Sequence, residues 1–148
     1  MRANELQETF VTVYRFDVFK GAADSEGRIA KIRSVGVAYH TDGLATYHIK
    51  LKTFLSDSFY LLPDEKSGQY SISTRAPSTL PGRKYFWHKV GEAKVMGGTN
   101  SGTLKLSFDL FADSLYMNLY PKDSFESAVS EGSTEISQVS VTLAAGEL

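Results

Sequence analysis

Residues Ser34–Pro63 read SVGVAYHTDGLATYHIKLKTFLSDSFYLLP, and their pattern decides the fold class. Val35, Val37 and Tyr39 alternate with Gly36, Ala38 and His40 as far as Asp42-Gly43. That dipeptide is favoured in hairpin turns because both central positions readily take positive φ. Beyond the turn Thr46–Leu55 alternates again, and Phe59–Leu62 ends at Pro63, which cannot donate to a strand ladder. Alternation with period two, bounded by Gly, Asp and Pro, describes a β-meander.

The same pattern extends in both directions. Thr9–Lys20 (TFVTVYRFDVFK) is rich in β-branched and aromatic residues, Gly21–Gly27 is a polar loop, and Arg28–His40 is the strand that enters the turn. Gln69–Thr74, Lys84–Val95, Thr103–Phe111 and Leu115–Tyr120 read as further strands. Ala76–Gly82 (APSTLPG) holds two prolines in seven residues and is the clearest connector. Asp123–Glu131 reads as one or two helical turns, and Ser137–Leu143 as a last strand.

Lys89–Pro121 (KVGEAKVMGGTNSGTLKLSFDLFADSLYMNLYP) repeats the plan of the opening stretch. Both copies run Val-Gly-x-Ala, a Gly-containing turn, an alternating apolar strand, Asp-Ser, aromatics, and a Leu shortly before Pro. The sequence therefore predicts one all-β domain over residues 1–148, an antiparallel sandwich or open barrel of about eight or nine strands. Its two pseudo-repeated halves span about 28–63 and 84–121, joined by the connector 76–82 and followed by an acidic segment, 123–148.

Centring the turn on Asp42-Gly43 sets Tyr39 opposite Thr46, Val37 opposite His48, Val35 opposite Lys50 and Arg33 opposite Lys52. Ile32, Ser34, Gly36 and Ala38 then share an inner face with Tyr47, Ile49, Leu51 and Thr53, small against large, as a packed interior requires. The outer face becomes basic and aromatic: Lys31, Arg33, Tyr39, His48, Lys50 and Lys52. Arg33 across from Lys52 costs up to about 1 kcal/mol unless solvent screens the pair or an anion lies between them. In the second copy the same parity sends Tyr85, Trp87, Gly91, Ala93, Leu104, Leu106 and Phe108 inward. It sends Phe86, His88, Val90, Lys94 and Lys105 outward.

Composition narrows the function. The 148 residues are 42% hydrophobic and 22% charged, which excludes a collagen-like or wholly disordered chain. No run approaches a membrane-spanning length, and the residues after Met1 lack the apolar core of a secretory leader, so the cytoplasm is the expected location. Without cysteine there is no disulfide, thiolate metal site or thiol nucleophile. The net charge of −1 hides an asymmetry: residues 1–122 hold 16 basic and 12 acidic residues, whereas 123–148 hold five acids and no base. That layout resembles single-stranded-DNA-binding proteins with anionic tails.

His40, His48 and His88 lie in no metal-ligand spacing, and no Gly-x-Ser-x-Gly elbow is present. Gly97–Gly102 lacks the Lys-Ser/Thr ending of a phosphate-binding loop and precedes a strand. No catalysis, metal or cofactor is expected. Basic grooves with stacking aromatics bind single-stranded nucleic acid. On that ground the expected site is Lys31, Arg33, Tyr39, His48, Lys50 and Lys52, with Phe86, His88 and Lys105 from the second copy. Protein–protein interaction or self-assembly, as in a phage or mobile-element structural subunit, is the alternative, and a homodimer or higher oligomer through an edge strand is compatible with either. Carbohydrate binding through the same aromatics ranks third.

Val35-Gly36-Val37-Ala38, Asp42-Gly43, Ile49-Lys50-Leu51 and Leu61-Leu62-Pro63 also resemble the layout of short uncharacterised bacterial and plasmid-borne proteins. Here Phe54-Leu55-Ser56-Asp57 stands where those proteins carry a Leu-Pro turn. The resemblance implies no activity and assigns no functional residue.

Overall fold

A computed structural model describes residues 9–129, which form nine β-strands and no α-helix. These are β1 (Thr9–Ala23), β2 (Ile29–Thr41), β3 (Tyr47–Leu51), β4 (Phe54–Pro63), β5 (Gln69–Pro77), β6 (Tyr85–Val95), β7 (Thr103–Phe108), β8 (Leu115–Asn118) and β9 (Asp123–Val129). Each strand from β1 to β8 pairs antiparallel with the next, and β8 returns to β1 through Met117↔Val18 and Leu115↔Lys20. The all-β expectation holds, and the sheet is a closed eight-stranded barrel. β9 adds to the first half of β1, from Thr9↔Val129 to Arg15↔Asp123. Residues 123–129, expected to turn helically, are thus a strand, because β1 is long enough to present a ladder beyond the barrel. The expected strand at Ser137–Leu143 and most of the acidic segment lie outside the described residues.

The barrel is filled by side chains. Phe16, Val18, Ala38, Ile49, Leu51, Leu61, Ile72, Leu104, Leu106 and Met117 are buried together, with Ala93 and Phe108 completing the cluster. Each large apolar side chain buried in this way contributes roughly 1.5–3 kcal/mol. Alternation puts one residue in two inward along every strand, and small residues must face large ones for the layers to fit.

The two halves repeat the same pairings around one glycine each. Gly36 pairs with Leu51 and Ala38 with Ile49; Gly91 pairs with Phe108 and Ala93 with Leu106. A Cβ on Gly36 would collide with the carbonyl oxygen of Lys50, and one on Gly91 with that of Ser107. The residue before each glycine is a bulge. Val18↔Gly36 is followed by Phe19↔Ser34, which skips Val35, and Ile72↔Gly91 by Ser73↔Lys89, which skips Val90. The carbonyls of both skipped residues accept equivalent amides, Lys52 N–H on Val35 and Asp109 N–H on Val90, each at 2.8 Å. Phe54 and Phe111, each three residues after the glycine's partner, stack on each other at 6.0 Å and bring the repeats together at one mouth. β1 corresponds to β5 and β4 to β8, so the halves meet at the β4–β5 turn, 64–68. Ala76–Gly82, expected as their joint, instead runs from the end of β5 toward β6 inside the second half.

Two features differ from the sequence-derived register. The β2–β3 pairing is His40↔Tyr47, Tyr39↔His48, Val37↔Lys50, two residues from the expected alignment, because residues 41–46 separate the last pair. An even slip leaves faces unchanged, so Gly36, Ala38, Ile49 and Leu51 do point inward. The bulges do change faces. Ser34 turns outward to donate to Asp17 Oδ1 at 2.7 Å, Ile32 is exposed, and Val90 packs partly against the core. Trp87, expected inside, is exposed instead. Arg33 pairs with Lys20, not Lys52, so the expected Arg33–Lys52 conflict does not arise.

Replacing Gly91 by Ala is expected to lower stability by about 1–3 kcal/mol through overpacking against the Ser107 carbonyl. Gly97→Ala, which meets nothing within 4 Å, should change it little. Urea denaturation of the two variants checks the comparison.

Candidate nucleic-acid interface

β4 reaches β5 only as far as Ser73, and β7 reaches β6 only from Gly91 onward. Thr74–Pro77 and Tyr85–Lys89 therefore pair with each other alone and project from the barrel as a two-stranded arm. The bulge at Val90 sets which way the arm's side chains point. Arg75 pairs with Trp87 and Pro77 with Tyr85 on one side, and Thr74 pairs with His88 and Ala76 with Phe86 on the other.

On the first side the Arg75 guanidinium carbon lies 3.9 Å from the centre of the Tyr85 ring, 4.9 Å from Tyr60 and 5.8 Å from Trp87. Tyr60 meets Trp87 edge to face at 5.4 Å and stacks on His48 at 5.0 Å with an 11° tilt. Tyr39 continues the row at 6.2 Å from His48. The result is a band of rings crossing β2, β3, β4 and β6. It is buried at the Tyr39 end and open at Trp87, which keeps 47% of its surface exposed. On the other side the Arg83 guanidinium lies 5.5 Å from the Phe86 ring, while the Lys84 ammonium lies 5.7 Å from Tyr85.

Burial governs the inner end of this band. His48 is 4% exposed, and neither ring nitrogen finds a hydrogen-bond partner among the described residues. Its pKa falls to about 3, first because burial disfavours the imidazolium, then because Lys50 and Arg75 are nearby. Lys50 is 3% exposed, and its Nζ donates to the carbonyls of Leu55 at 2.9 Å and Asp57 at 3.2 Å. Desolvation lowers its pKa, with the Asp57 carboxylate opposing the shift.

The sequence-derived site is thus divided. Tyr39, His48 and Lys50 come together but are buried, out of reach of a phosphate. Lys31 forms an ion pair with Asp17 at 2.7 Å. Arg33 on β2 and Lys52 in the β3–β4 turn are exposed, and Lys105 lies exposed on β7 between Lys94 and Tyr116. Phe86 and His88 do lie together on one side of the β5–β6 arm. Sequence reading missed Arg75, Tyr85 and Trp87. A signal was present, since no carboxylate occurs in the 26 residues from Lys66 to Gly91, which hold Lys66, Arg75, Arg83, Lys84 and Lys89.

Comparison with protein-family models, curated proteins and solved structures gave no match.

The depressed His48 pKa has a definite sign in stability. Between the folded value of about 3 and the ordinary value near 6.5, the unfolded chain binds the extra proton, so stability falls as pH falls through that window. The loss attributable to His48 between pH 7.5 and 5 is expected to be about 2 kcal/mol. His48→Phe, which keeps a ring against Tyr60, should remove that share of the slope in urea titrations at the two pH values.

Proposed function

We propose that the protein binds single-stranded nucleic acid without catalysis, through the β5–β6 arm and not through the β2–β3 face. The observation that carries this reading is the half-exposed Trp87 beside Tyr85 and Arg75 on an arm free of carboxylates. Sequence-tolerant binding of single strands needs rings on which bases stack and cations that follow the phosphates. Trp87 supplies an open ring at the barrel-proximal end of the arm, and Arg83 and Lys84 supply charge toward its tip. Phe86 and His88 offer further ring surface on the opposite side. A duplex hides its bases from such rings, which favours single strands as ligand. This role suits the cytoplasm.

Trp, Tyr and Arg also dominate protein–protein hot spots, so a protein partner is the competing occupant of the same arm. Salt separates the two, because phosphate binding releases counterions and weakens steeply as salt rises.

Trp87 is the only tryptophan in the chain and reports stacking directly. A single-stranded oligonucleotide should quench its emission, duplex of the same sequence much less, and added salt should reverse the quenching. In anisotropy titrations with a labelled oligonucleotide, Trp87→Ala should lose about 1–3 kcal/mol of affinity. Arg83→Gln with Lys84→Gln should flatten the salt slope. Emission indifferent to oligonucleotide at low salt would overturn the proposal.

A further inference from the structure

The barrel mouth capped by Phe54 and Phe111 holds two pockets that the internal repeat makes equivalent. One, of about 370 Å³, is walled by Leu51, Phe111 and Leu115 and carries Lys20, Thr53 and Asp113. The other, of about 280 Å³, is walled by Phe108, Phe54 and Phe59 and carries Thr74 and Asp57. The register fixes the correspondence. Lys20 lies two residues beyond Val18, as Thr74 lies two beyond Ile72, and Leu51 and Phe108 face the matched glycines.

This twofold relation acts as an internal control. Whatever the fold requires should occur in both pockets, and what occurs in one alone needs another reason. An aspartate recurs, but its surroundings do not. The Asp57 carboxylate lies close enough to the Lys50 ammonium to act on it, whereas the position matching Lys50 in the second half is Ser107, whose Oγ meets Ser114 Oγ at 3.3 Å. Asp113 therefore has no counter-charge bonded to it among the described residues. Lys20 is likewise without a carboxylate partner among them, and its counterpart Thr74 is committed to the Ser58 carbonyl at 3.0 Å. The larger pocket alone sets one unpaired cation and one unpaired anion around an apolar wall.

We propose that this pocket binds an α-amino acid with a large apolar side chain. Lys20 would receive its carboxylate and Asp113 its ammonium, with the side chain against Leu51, Phe111 and Leu115. A simple fatty anion would leave Asp113 facing an apolar ligand, and a simple amine would leave Lys20 so. Both groups are exposed at the pocket rim, a zwitterion answers the two together, and the volume lies in the range of small-molecule sites. The inference does not rest on nucleic-acid binding, since neither Lys20 nor Asp113 belongs to the β5–β6 arm.

Calorimetric or ligand-observed NMR titration of the full chain with L-phenylalanine tests it, alongside 3-phenylpropionate, phenethylamine and glycine. Phenylalanine should bind, each singly charged analogue at least tenfold more weakly, and glycine not measurably. Lys20→Met and Asp113→Asn should each weaken phenylalanine at least tenfold with unchanged circular dichroism, while Thr74→Val leaves binding unaltered. Equal affinity for phenylalanine and either singly charged analogue would overturn the proposal. So would no binding at millimolar ligand, which would mean that Lys20 and Asp113 satisfy each other in solution.

Discussion

Two glycines, each preceded by a bulged valine, fix the geometry on which everything else depends. At Gly36 and Gly91 the neighbouring strand comes so close that its carbonyl oxygen occupies the place a side chain would need. Close approach lets Leu51 and Phe108 fill the barrel centre, and the skipped Val35 and Val90 shift the pleat by one residue. A bulge bends its strand and redirects the side chains that follow. Without the one at Val90, Trp87 and Tyr85 would point the opposite way, and the arm would present a different surface.

The strands and core were legible in the sequence because they obey short-range rules. Alternation located β2, β3 and β7, and the recurrent Val-Gly-x-Ala marked the positions where small residues meet large ones across the barrel. Inner-face assignments near Gly36, Ala38, Ile49 and Leu51 survived even though the turn is longer than Asp42-Gly43 suggests, since the slip was even. The faces beyond the bulges were not legible. A skipped residue leaves no compositional mark, and parity counted through Val35 or Val90 sends the side chains next to the bulge to the wrong side, until a second skip at Ile32 restores it in β2.

The same error explains the fate of the proposed site. Lys31, Arg33, Lys50 and Lys52 look like one basic stripe when alternation is carried through unbroken. In three dimensions Lys50 tethers the β3–β4 segment through two carbonyls, Lys31 is exposed but pairs with Asp17, and Arg33 and Lys52 are exposed. Charge counted along the chain proved the better guide. The acid-free stretch from Lys66 to Gly91 contains the arm that carries exposed Trp87 and the Arg75–Tyr85 contact. His48 stacks on Tyr60, and Tyr60 meets Trp87 edge to face, so ring contacts between strands link that arm to the barrel wall.

The account stands on the direction in which Trp87 points, and the lone indole makes that measurable. Acrylamide quenching of tryptophan emission in the folded chain should be efficient, at a substantial fraction of the value in urea, with an emission maximum shifted toward that of indole in water. A blue-shifted emission that acrylamide scarcely touches until the protein unfolds would place Trp87 inside the barrel and contradict the bulge, the arm and the interface together.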